Sequence, residues 1–390
     1  MKKVLLAFLC TLVALPAFAI EVYNNGEDNV HIYGTIRGYI GYGYGTDHYN
    51  TTGSDMMYGV QANSRLGVRF QVGNFSGNVE FGAAEATLWR GAGGNVGLRQ
   101  AWGAYSFGSA GKLLVGKTDT PTSMVGFSSD VYNTDSGFAG FGGNNTSNRR
   151  FQIQYSVAGL TIALVEADMR GVSVGSYHYA NTNDGALFKN ATLEGNYIPR
   201  IVLAYQNNFG STLFKIGATY SANNTNFNST ITGNNWQTVH AFGVVLGVKP
   251  TFMDGRAWLA IQARYGMNED LYGEAGTYIS NGGFGLVNLN QMQSLDRNGD
   301  VQNVTRINGM AEFGFKVIDN FALILGAGYQ VTMNDADVND IHSYGAYLQL
   351  PYTINANLAF LPEIAWYETN WDGASKRDGV LVGMQMRITF

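Results

Sequence analysis

The chain is short of cysteine, proline and charge, and each shortage removes a class of answer. Its one cysteine is Cys10, close to the N-terminus, so no disulfide, thiol nucleophile or thiolate metal site can form in the chain beyond it. Charged residues make up 14% of the chain, against about 25% in an ordinary soluble domain. An excess of positive charge is missing too. The 24 Lys and Arg face 29 Asp and Glu, for a formal charge of −5, which excludes the basic footprint of a nucleic-acid binder. Past the N-terminus no apolar run approaches the ~18 residues that mark a membrane-spanning helix.

What is plentiful is glycine, with 51 residues, and small-ring aromatics, with 23 Tyr and 22 Phe. Such a composition fits neither a disordered chain nor a helical one, since Gly and Tyr are poor to mediocre helix formers. The first residues explain the compartment. Lys2 and Lys3 precede an apolar stretch from Val4 to Leu15, followed by Pro16 and an Ala17-Phe18-Ala19 cleavage signal. This pattern predicts a secretory signal peptide over 1–19, leaving a single domain over 20–390. A lipid anchor on Cys10 is the weaker reading, because the apolar run continues past it and Ala7-Phe8-Leu9 is a poor lipidation motif. Loss of Lys2 and Lys3 takes the formal charge to −7.

A period of two residues recurs along the rest. At the C-terminus Val380, Val382, Met384, Met386, Ile388 and Phe390 share one face, and Leu381, Gly383, Gln385, Arg387 and Thr389 the other. Phe321, Leu323, Leu325, Ala327 and Tyr329 repeat the pattern against Gly326, Gly328 and Gln330. Segments of about ten residues that alternate apolar with small or polar, with aromatics near their ends, are the signature of a transmembrane antiparallel β-barrel. A closed barrel is also the only non-helical structure that satisfies its backbone in lipid. A soluble sandwich would alternate as well, but with more charge.

Short turns, at Gly73-Asn74, Gly108-Ser109-Ala110, Gly159, 207–210, Asp319-Asn320 and Tyr352-Thr353, interleave with long polar loops. That predicts 16 strands with short periplasmic turns and long extracellular loops. The starts fall near 29, 57, 75, 95, 111, 149, 160, 197, 211, 237, 255, 305, 319, 342, 354 and 377. Eighteen strands is the alternative if the 267–304 loop hides a hairpin. Sixteen to eighteen strands leave an aqueous lumen, whereas about eight leave none.

Something must then set what passes. The 119–148 loop carries Met124, Val125, Phe127, Phe138 and Phe141, too much apolar surface to stand free in water, and its charges are all acidic. It either folds inward against the wall or remains external. On inward parity the strands present Arg37, Arg65, Arg69, Arg99 and Arg150, then Arg200, Lys215, Arg264, Arg306 and Arg387. Inward-facing aromatics, Tyr33, Tyr39, Tyr105, Trp258, Tyr347 and Tyr367, are spread around the wall. The net charge of −7 and the acidic loops favour a mild cation preference, which the arginines oppose.

The order of several short motifs resembles the general bacterial porin family, the trimeric sixteen-stranded outer-membrane porins. The likeness runs over Ile20-Glu21-Val22-Tyr23-Asn24-Asn25, Val30-His31-Ile32-Tyr33-Gly34, Ser64-Arg65-Leu66-Gly67-Val68, Leu98-Arg99-Gln100-Ala101-Trp102, Gly116-Lys117-Thr118-Asp119-Thr120-Pro121 and Arg149-Arg150-Phe151-Gln152-Ile153-Gln154-Tyr155. The resemblance implies that the 119–148 loop folds inward as the constriction. It further implies a basic side made of Arg37, Arg65, Arg99 and Arg150, and an acidic side made of Asp130, Asp135 and Glu80. It implies a homotrimer through the face of the first strands, with the 89–95 loop as a latch, and Phe390 as the signal read by the barrel-assembly machinery.

The expected protein is thus a general-diffusion pore in the cell outer membrane, surrounded by lipid and lipopolysaccharide. Its permeants are ions and small hydrophilic solutes, and it uses no cofactor or metal. A substrate-specific sugar or anion channel is the alternative. A barrel enzyme would need a catalytic partner set, and His31, His48, His178, His240 and His342 are scattered without one. A surface adhesin role rests on the long loops alone. Asp296-Arg297-Asn298-Gly299-Asp300 lacks the carboxylate a calcium loop has at its twelfth position, which is Ile307 here.

Overall fold

The computed structural model describes residues 19–46, 52–61, 63–83, 96–130, 149–166, 173–174, 188–193, 198–229, 236–269, 276–279, 286–289, 294–295, 301–335, 338–371 and 376–390. Within them sixteen antiparallel strands close into one barrel. In chain order they are β1 Asn29–Thr46, β2 Thr52–Val60 continued by Arg65–Val72, β3 Phe75–Ala83 and β4 Val96–Ser106. Next come β5 Lys112–Asp119, β6 Arg149–Val157, β7 Leu160–Val165, β8 Arg200–Phe209, β9 Thr212–Ser229 and β10 Trp236–Phe252. The last are β11 Ala257–Met267, β12 Val304–Ile318, β13 Phe321–Asn334, β14 Val338–Gln349 continued by Tyr352–Asn355, β15 Leu358–Trp371 and β16 Lys376–Thr389. The 267–304 connection does contain a hairpin, Gly276–Ile279 against Leu286–Leu289. It forms its own two-stranded sheet, so the barrel stays at sixteen.

The burial pattern is the inverse of a soluble protein's. Leu203, Ile216, Leu246, Leu325 and Val382 lie exposed on the outside, while Glu312, Gln152, Gln330 and Thr369 are fully buried inside. So continuous an apolar belt is stable only where lipid covers it. Tyr44, Trp236, Tyr265, Tyr344 and Trp366 cap the belt toward the long loops, and Phe75, Phe209, Phe252 and Tyr352 toward the short turns. Two of those turns, at Gly73 (φ 53°) and Gly210 (φ 61°), require the left-handed backbone that glycine adopts most cheaply.

β16 pairs with β1 from Thr35↔Thr389 to Thr46↔Asp378 and so closes the barrel. Phe390 completes the seam. Its N–H donates to the Gly34 carbonyl at 3.0 Å, and the Gly34 N–H donates to the Phe390 carbonyl at 2.7 Å. The far end of the Phe390 ring lies against Gly34, where a Cβ would fall 2.4 Å from its Cζ. A short N-terminal strand, Ile20–Asn24, pairs with the first residues of β1 beside the point where β16 ends.

The structure departs from the sequence reading at two places. The β3–β4 register shifts between Glu80 and Phe81, which pair with Gln100 and Leu98, so Arg99 is the extra residue of a bulge. A bulge reverses the parity of everything beyond it. Tyr105 therefore faces outward, its ring against Phe75 and Phe107. The turn expected at Tyr352-Thr353 is also absent. Pro351 lacks an N–H and interrupts β14, which resumes at Tyr352 and turns only after Asn355.

Candidate functional site

The chain leaves the wall at the end of β5 and re-enters at β6, with residues 120–130 described between them. This segment lies inside the barrel, and its anchors march around the inner wall. The Thr122 hydroxyl is 3.5 Å from that of Thr219 on β9, and the Lys215 ammonium on the same strand donates to the Ser123 carbonyl. Lys249 on β10 donates to the Gly126 carbonyl at 3.3 Å, and Gln262 on β11 to Ser128 Oγ at 3.1 Å. Met124 and Phe127 are buried against Val245 of β10 and Leu213 of β9. Gly247 makes room for the Phe127 ring, since a Cβ there would meet it at 2.6 Å.

Beyond Ser128 the anchors become more polar. Glu312 on β12 is fully buried and accepts from the Ser129 N–H at 2.8 Å, Ser129 Oγ at 3.1 Å, Trp258 Nε1 at 3.0 Å and the Tyr347 hydroxyl. Gln349 on β14 donates to the Asp130 carbonyl at 2.6 Å. The Asp130 carboxylate then reaches the seam. Its Oδ2 lies 2.9 Å from Arg387 on β16 and 3.1 Å from Arg37 on β1. From Thr122 to Asp130 the chain can span at most roughly 29 Å. The seven strand spacings from β9 to β16 amount to roughly 34 Å along the wall. The segment therefore runs through the lumen, inside the wall.

Arg37 and Arg387 are direct register partners on neighbouring strands. Like charges so placed repel, and the single Asp130 carboxylate between them offsets the repulsion. Gln385 supports Arg387 by accepting from its Nε at 3.1 Å and its Nη2 at 3.0 Å. A second cluster sits on β1–β4. Glu80 lies 2.8 Å from Arg99 Nε, 3.7 Å from Arg65 Nε and 2.9 Å from the Tyr33 hydroxyl, while the Arg69 guanidinium covers the Tyr33 ring at 5.2 Å. The bulge at Arg99 turns both Arg99 and Gln100 inward, so this stretch carries one more inward side chain than strict alternation allows.

The residues singled out from sequence thus divide. Arg37 joins Asp130, and Arg65 and Arg99 join Glu80. Arg150 lies opposite Thr118 on the inward parity of β6, whereas its neighbour Arg149 pairs with Asp119 at 3.1 Å at the root of the loop. Asp135, the rest of the loop to 148, the 89–95 segment and the leader to residue 18 lie outside the described residues. The side chains that hold the segment, Thr219, Lys215, Lys249, Gln262, Glu312, Gln349 and Arg387, are not among the site residues that the sequence suggests. Arg387 could have been found by closing the barrel, which makes the last strand a neighbour of the first.

The solved structures that this fold resembles are bacterial outer-membrane channels and porins, over nearly the whole chain. The outer-membrane channel DcaP of Acinetobacter baumannii aligns with a TM-score of 0.67 at 16% identity, over 94% of this chain and 99% of that one. OmpT, an outer membrane protein of Vibrio cholerae, aligns at 0.54 and 15% identity, over 95% and 100%. An anion-selective porin from Comamonas acidovorans aligns at 0.53 and 14% identity, over 93% and 100%. The sequence matches no family model and no curated protein.

Proposed function

We propose that the chain is a non-enzymatic, water-filled diffusion channel of the outer membrane, narrowed by the 119–148 loop. The observation that carries this reading is the path of residues 120–130. They leave the wall at β5 and end with Asp130 between Arg37 and Arg387 at the β16–β1 seam. A sixteen-stranded wall is wide enough for water, and a fixed segment through it sets the smallest cross-section. Arg37, Arg65, Arg99, Arg150 and Arg387 form the basic margin of that opening, with Glu80, Asp130 and Asp135 as its acidic members. General diffusion is favoured over one specific solute, because the inward aromatics serve the polar frame. Tyr33 holds Glu80, while Trp258 and Tyr347 hold Glu312. None of them stacks into a track for a sugar among the described residues.

Three copies associate through the outer face of the first strands. A Vibrio cholerae neighbour of the same fold was solved in a trimer form. The leader over 1–19 directs export and is removed by cleavage after Ala19. Planar-bilayer recording of the refolded chain from residue 20 tests the channel: stable ohmic steps are expected, and no conductance at any voltage rules it out. Saturable block by one sugar would instead establish a specific channel.

A further inference from the structure

We infer that the channel favours small hydrophilic anions over cations, the opposite of what the net charge suggests. The inference rests on the channel reading above. Its basis is the balance of charge on the inner face. On the near arc, Arg37, Arg65, Arg69, Arg99, Arg150 and Arg387 point inward, and the described carboxylates among them are Glu80 and Asp130. Each of those two lies between two guanidinium groups. Neither is left as a negative centre for a passing cation. On the far arc, Arg200, Lys215, Lys249, Arg264 and Arg306 face Glu269, Glu312 and, beyond them on β15, Glu363. Glu269 is again shared, at 2.7 Å from Arg264 Nε and 3.8 Å from Arg306 Nη1.

Among the described residues these are eleven inward cations against five carboxylates, and the Arg149–Asp119 pair at the root of the loop adds one of each. Residues 131–148 contain a single charge, Asp135, so the rest of the loop cannot reverse the excess. The negative charge that takes the exported chain to a formal −7 must then reside on its loops, turns and outer rims. There, water and salt separate it from the narrowest section. At 0.15 M salt the Debye length is about 8 Å, and a narrowed lumen is only a few such lengths across, so the wall charges act on an ion anywhere inside it. In 1 M salt that length is about 3 Å, and an ion on the axis is screened. Guanidinium-rich walls bind carboxylates and phosphates better than halides, through paired N–H donors. Small carboxylate- or phosphate-bearing solutes are therefore the permeants the wall suits best.

The test is the reversal potential of the refolded trimer or monomer in KCl gradients. At low salt the expected sign is that of chloride, with an anion-to-cation permeability ratio of about three or more, as a lumen potential of order kT produces. The ratio should fall toward one when both sides exceed 1 M. The double variant Arg65→Gln, Arg99→Gln should lower it in channels that still open, which separates a lost charge from a lost fold. A potassium-signed reversal potential at low salt overturns the inference. So does an unchanged ratio in conducting double-variant channels. The absence of any channel in the wild-type chain would instead overturn the diffusion-pore reading and this inference with it.

Discussion

The two ends of the described loop segment are held by different physics. Residues 122–128 are docked on β9–β11 largely by apolar packing and by hydrogen bonds to loop backbone and hydroxyl oxygens, with Met124 and Phe127 buried against Val245. Asp130 is docked by charge, between the buried Arg37 and Arg387, which like Asp130 itself remains partly open to water. The first kind of anchor is indifferent to salt; the second weakens with it. The contrast separates two tasks. The body of the segment fixes where the opening lies, and its tip fixes the charge around it.

Three substitutions would test that contrast. Phe127→Asp should have the largest effect. It removes a buried ring, worth about 3–5 kcal/mol in comparable core truncations, and puts a carboxylate against Val245 and Leu213. The segment should leave its dock, and single-channel conductance and the size limit for neutral sugars should both rise. Unchanged values would show that the apolar dock does not set the opening. Glu312→Gln should act less strongly. It leaves one acceptor oxygen for donors from Ser129, Trp258 and Tyr347, at a cost of about 1–3 kcal/mol. Noisier current with little change in mean conductance is expected, and quiet channels would count against Glu312 as an anchor. Asp130→Asn should change the opening least, since Gln349 still holds the backbone carbonyl at this position and the shorter ion pair, to Arg387, is partly open to water. It removes a carboxylate shared by Arg37 and Arg387, so the reversal potential should move toward the anion side while conductance holds. A move toward the cation side would contradict the division of tasks.

Much of the barrel was legible because a lipid-facing strand has to alternate. Segments such as 321–332 and 380–390 could be placed, and even faced, from residue type alone. Alternation fails where the backbone departs from it. Arg99 and Gln100 both face inward across a bulge, so strict alternation puts Tyr105 on the wrong side. Pro351 looked like a strand end but only interrupts β14. The loop was recognisable as too apolar for water, but its partners were not. Ser129 and Glu312 are 183 residues apart, and no local period links an acceptor on β12 to a donor in a loop after β5. Arg37 and Asp130 could be nominated separately, whereas the shared geometry with Arg387 exists only once β16 meets β1.

Residues 120–130 cross the water path. Val125 is the test position, because it is exposed on this segment at 41% of its full area and makes none of the anchoring contacts. With Val125→Cys in the chain from residue 20, which has no other cysteine, a membrane-impermeant charged thiol reagent should label the side chain and lower single-channel conductance at once. Complete labelling with no change in conductance would place the segment outside the current path and contradict the account.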